Sequence, residues 1–139
     1  MEQQTSKISI EMPALSSAPR PAAASEGATV TKAVLRAAAL LNVPQKAISR
    51  IIGVSEATVS RMNAGTHVLT PGDKPFELAV LFIRLFRSLD AVTGGDEAVA
   101  RAWIRQENIA LGDVPLSHIQ SVVGLVDAVT YLDARRARI

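Results

Sequence analysis

The sequence contains no cysteine, which excludes disulfides, thiolate metal sites and cysteine nucleophiles. Aromatic residues are scarce at 4%, while apolar residues reach 48% and are mostly Ala, Val, Leu and Ile. That balance favours packed helices over aromatic-rich strands. Long hydrophobic runs are also missing. The longest near the middle, "LAVLFI" at 78–83, is six residues, against the roughly 18 to 20 that span a bilayer. The start lacks an apolar stretch behind a basic one, so the expectation is a soluble cytoplasmic protein. Of the two histidines, His67 and His118, neither stands beside a carboxylate pair at metal-ligand spacing. Each reads as a surface or cap residue. "TGGDE" at 93–97 has paired glycines without the lysine–hydroxyl pair of a phosphate loop. Enzyme chemistry, a metal, a cofactor and a small-molecule substrate are therefore not expected. What is present is 139 residues with a net charge of +2, room for one domain or two very small ones. Where that charge sits matters more than its sum.

Residues 1–29 hold Pro13, Pro19 and Pro21 among Ala, Ser and isolated charges and sustain neither helical nor strand periodicity. They read as a flexible tail, with a brief alternation at "KISIEM". From Thr31 the pattern turns helical in "KAVLRAAALLNV". A second helix is expected from about Pro44 to Ile52, ending at Gly53, where glycine tolerates the left-handed conformation. Ser55 is a natural N-cap for a third helix through about Asn63, closed by Gly65. "KPFELAVLFIRLFRSLDAV" is a fourth, with Lys74, Glu77, Arg84, Arg87 and Ser88 gathered on one side and Val80 and Leu81 intruding there. So apolar a helix is either central to the core or half-buried in another subunit, which predicts a homodimer or larger. "DEAVARAWIRQEN" forms a helix begun by Asp96. A last one is expected from Ser117 onward, with Ile119, Val122, Val123, Val126, Val129 and Leu132 as its inner face. Trp103 reads as a core anchor.

The stretch 45–65, "QKAISRIIGVSEATVSRMNAG", meets the demands of a helix-turn-helix. Small residues, Ala47 and Ser49, stand where two helices would cross, Gly53 occupies the turn, and Val59 and Met62 return on the inner face. Facing outward are Glu56, Ala57, Ser60 and Arg61, with Thr58 beside them. Arg forks onto guanine, Ser and Thr bond phosphate or base edges, and a carboxylate accepts from cytosine. Gln45 and Ser55 complete the candidate DNA-binding set. The plainer alternative is an αα-corner without nucleic acid. Residue by residue the stretch resembles the helix-turn-helix of phage-repressor and Xre-type regulators. Because Arg61 is the face's one cation, with Lys46 and Arg50 nearby, two or more copies on a repeated operator would be needed.

The second half, "AWIRQENIALGDVPLSHIQSVVGLVDAVTYLDARR", has an Ala-Trp, an Asn five residues on, then Leu-Gly, a Pro, a Gly and a late Tyr-Leu-Asp-Ala-Arg. In that order and spacing it resembles the toxin-binding module of MbcA/ParS/Xre antitoxins, over about residues 72–138. The resemblance implies an all-α protein: a tail at 1–29, a helix-turn-helix domain at 30–70 and a helical toxin-binding or dimerisation domain at 71–139. It implies an antitoxin that pairs with a RES-domain toxin, an enzyme that depletes NAD, and represses its own operon. On that footing Arg135, Arg136, Arg138 and the carboxylate of Ile139 are expected to reach the toxin's NAD pocket, where arginine meets acidic groups and a carboxylate imitates phosphate. The plainer reading of those arginines is a solvated helix end. The alternative for the whole chain is a stand-alone Xre-family repressor with a C-terminal dimerisation domain. The expected partners are thus a RES-domain toxin, operator DNA and a second copy in a larger hetero-oligomer, with no membrane.

Overall fold

The computed structural model describes residues 21–138, and every regular element among them is a helix. The first, α1, spans Pro21–Leu40. It begins ahead of Thr31, so residues 21–29, read above as tail, are helical. Residues 1–20 lie outside the described residues. The reason for the early start is tertiary and so invisible to periodicity. Gly27 is buried, and a Cβ there would come within 2.3 Å of the Leu69 carbonyl oxygen. One turn on, the buried Thr31 hydroxyl donates to the Gly27 carbonyl at 2.7 Å and accepts the Leu69 amide at 2.9 Å. A glycine and a threonine, both poor helix formers, are placed where a loop crosses α1 at backbone distance.

Helices α2 (Gln45–Ile52) and α3 (Glu56–Ala64) follow the cap chemistry. Gly53 and Gly65 are left-handed, at φ 75° and 82°, and Ser55 accepts the Thr58 amide. Helix α4 (Lys74–Val92) is the central element, packed against α1, α2, α7 and the short α5 (Glu97–Trp103). Phe82, Leu85 and Leu89 on α4 are fully buried within the single chain, together with Val34 of α1, Leu41 in the turn after it, and Ile48 and Ile52 of α2. Each such side chain contributes about 1.5–3 kcal/mol by leaving water. Its apolar character is thus largely consumed inside one protomer. Phe82, at 0% exposure, has no surface to offer a second copy, while Leu81 is half-buried. Ser88, placed by sequence on the polar side, is also fully buried.

The last helix is two. A single turn, α6 (Pro115–His118), stops, and α7 (Val122–Arg136) restarts with Ser121 as N-cap, its hydroxyl accepting the Gly124 amide at 3.0 Å. Gly124 is required at that corner, because a Cβ would collide with the His118 carbonyl. The restart rotates the apolar face. Ile119, Val129 and Leu132 are buried as expected, but the inner positions between them are Gly124, Leu125 and Ala128. Val122, Val123 and Val126, expected inside, are 54%, 80% and 45% exposed.

One polar joint holds the second half to the first, and another ties α4 to α7. Arg101 donates to the Leu40 carbonyl at 3.1 Å, and Arg105 donates to Leu41 at 3.0 Å and Asn42 at 2.6 Å. These cover orphan carbonyls at the C-terminus of α1, where the helix dipole also favours cations. Between α4 and α7, Asp133 accepts the Ser88 hydroxyl at 2.7 Å and pairs with Arg84 at 2.7 Å, while Arg136 reaches Ser88 at 3.4 Å. Burial pushes the Asp133 carboxyl up, but the Ser88 and Arg84 hydrogen bonds and the charges of Arg84 and Arg136 outweigh it, leaving the group below its ordinary value.

Candidate functional site

Helices α2 and α3 pack on each other and on the core through Ala47, Ile48, Ser49, Val59 and Met62, all buried. That burial fixes what is left outside. Ser55, Glu56, Ala57, Ser60 and Arg61 are exposed and Thr58 is half-exposed. The face is internally wired. The Thr58 hydroxyl lies 2.9 Å from that of Ser55 and accepts from the Arg61 guanidinium at 3.0 Å. The Gln45 amide donates to the Glu56 carbonyl at 3.1 Å and to the Ser60 hydroxyl at 3.0 Å. Gln45 therefore ties the start of α2 to α3, a role that spacing alone did not reveal. The six sequence-selected residues fall into two hydrogen-bonded sets, Gln45 with Glu56 and Ser60, and Ser55 with Thr58 and Arg61, and Arg61, a side chain with costly rotamer freedom, is held by a neighbour.

Charge is distributed to suit that face. Residues 30–70 carry Lys32, Arg36, Lys46, Arg50 and Arg61 against Glu56 alone, a formal +4, whereas 71–139 carry eight cations against nine carboxylates, a formal −1. The +2 of the whole chain hides a basic first half, which suits a polyanion far better than the sum suggests.

The second half presents a different surface. Trp103 is half-buried, not a sealed core anchor, and it stacks on Tyr131 with centroids 6.3 Å apart and planes 18° from parallel. The Arg135 guanidinium lies over the Tyr131 ring at 5.7 Å, within cation–π range. These rings form one wall of an open cleft of about 580 Å³, whose other wall is the loop Gln106–Ala110. The three expected toxin-contacting arginines part company here. Arg135 is drawn to Tyr131, Arg136 reaches the joint at Ser88, and Arg138 is exposed. Ile139 lies outside the described residues. His118 pairs with Asp127 at 2.8 Å, and among the described residues no three His, Cys, Asp or Glu side chains gather as a metal would need. No helix of the described residues is long and apolar enough to cross a membrane.

Comparison with known families gives two adjacent matches. Residues 20–84 match the antitoxin Xre-like helix-turn-helix domain, and residues 88–138 match the antitoxin Xre/MbcA/ParS C-terminal toxin-binding domain. The two matches meet inside α4, so the halves share their central helix. Families of these two kinds are typically non-enzymatic. No curated protein matches the chain.

Proposed function

The chain belongs to the Xre/MbcA/ParS antitoxins, and from that premise we propose that it neutralises a RES-type, NAD-degrading toxin at the toxin's active site and represses its own operon. The observation that carries this reading is the coexistence, around one shared helix, of an internally braced helix-turn-helix in a basic segment and a toxin-binding half of opposite net charge. In the DNA-binding role, Arg61 reads a base edge, Ser60 and Thr58 supply hydroxyls, Glu56 selects against phosphate-only contact, and Ser55 and Gln45 set the angle of α3. A single cation on the face gives poor affinity per copy, so a homodimer on a repeated operator is the working unit.

In the inhibitory role, the exposed Arg138, past the end of α7, and the carboxylate of Ile139 are the groups that enter the NAD pocket. Arg135 stands at the root of that segment, and Arg136 anchors it through Ser88. The toxin-binding match at 88–138 weighs against a stand-alone repressor. Removing Arg135–Ile139 tests the inhibitory half: NAD breakdown by the toxin should resume in a complex that carries the truncated chain. Undiminished protection of NAD would place the inhibitory contact elsewhere.

A further inference from the structure

We infer that the cleft between the Trp103–Tyr131 stack and the Gln106–Ala110 loop, with Ile109 on its rim, is a docking anchor for the toxin, separate from the basic end of α7. The inference rests on the reading of this chain as an antitoxin and goes beyond it by naming where the toxin sits. Ile109 is 97% exposed. A singly exposed hydrophobic residue is ordinary, but this one is held out by construction. Asn108 donates its amide to the Asp113 carbonyl at 3.0 Å and accepts the Gly112 amide at 2.9 Å on its own carbonyl. Its side chain accepts the Leu111 amide at 3.0 Å, and Leu111 is buried. The loop is closed on both sides of its tip, so the isoleucine is presented without the ordering cost that a slack loop would incur on binding.

Behind it stand a Trp and a Tyr in stacked contact, two of the residue types most often found at binding hot spots. The occupant follows from the same half of the chain. Every lining residue of the cleft falls within 88–138, the toxin-binding match. Of the seven large hydrophobic residues exposed among the described residues, five lie between 99 and 126, so apolar surface is concentrated where a protein partner binds. DNA is the wrong occupant for a half with formal charge −1. The DNA face on α2 and α3 shares no element with the cleft, which is built on α5, α7 and the loop between α5 and α6.

The test uses the full chain and the purified toxin encoded beside it, immobilised for a binding measurement. Ile109→Glu should weaken toxin binding about tenfold or more, with thermal midpoint and promoter affinity unchanged, since the side chain packs on nothing. Val68→Glu, an exposed valine of the first half, should leave toxin binding intact. Toxin affinity unchanged by Ile109→Glu overturns the proposal, as does a fall in the chain's own oligomeric mass with toxin affinity intact, which would assign the cleft to a second copy. If wild-type chain fails to bind the toxin, the antitoxin reading fails with it. Wild-type binding that Ile109→Glu leaves untouched sinks only the cleft.

Discussion

Gly27→Ala turns the placement of α1 into a question of sign. In a helix interior alanine is favoured over glycine by about 1 kcal/mol, so if residues 21–29 were a loose extension the change would stabilise the protein or do nothing. The fold demands the opposite. The new Cβ would stand 2.3 Å from the Leu69 carbonyl oxygen and 3.0 Å from Val68 Cγ1. The exposed valine can turn away, but the carbonyl belongs to backbone. Parting α1 from the loop carries an overpacking penalty of about 1–3 kcal/mol. Loosening the Thr31 hydroxyl from the Leu69 amide removes about 1 kcal/mol more. Net of the propensity gain, the variant should be about 2 kcal/mol less stable. Urea unfolding followed by circular dichroism reads this as a lower midpoint at unchanged slope, and thermal unfolding as a fall of roughly 6–8 °C. A variant equal to or more stable than the parent would refute the close crossing of α1 by the Val68–Leu69 segment.

Two further outcomes follow from the polar networks. Thr58→Val removes the acceptor that holds the Arg61 guanidinium while keeping the shape of the side chain. Discrimination between promoter and scrambled DNA, measured by fluorescence anisotropy, should drop by about fivefold with non-specific binding little changed, and an equal fall on both DNAs would contradict the positioning role. Asp133→Asn should lower stability at neutral pH by about 1 kcal/mol, the half-exposed pair with Arg84 being screened by solvent. Because the folded Asp133 titrates below its unfolded 3.8, its contribution is whole above that value and fades as pH falls through the lower, folded one. The wild-type stability curve should therefore converge on that of Asp133→Asn only in strong acid, and convergence near pH 6 would exclude this carboxylate as the cause.

The helix-turn-helix was legible in the sequence because its punctuation is local. Gly53, Ser55 and Gly65 act on the backbone within a few residues of themselves, and Val59 and Met62 repeat at helical spacing. The order of features from Trp103 to Arg135 likewise identified the second half. What stayed hidden depends on distant partners. Gly27 and Thr31 answer to Leu69, some forty residues away, and Arg101 and Arg105 cap α1 from across the chain. The valines of α7 misled for another reason. Counting from Ser117 assumed a continuous helix, whereas the Ser121 cap interrupts it and turns Leu125 and Ala128 inward. The apolar character of α4 is largely accounted for inside one chain, where the helix packs against four others and buries Phe82 and Leu85.

Promoter affinity of the chain lacking Arg135–Ile139, measured beside its protection of NAD from the toxin, tests the division between the two halves most directly. The proposed arrangement predicts wild-type affinity for the promoter together with lost protection. Promoter binding that collapses along with protection would contradict it.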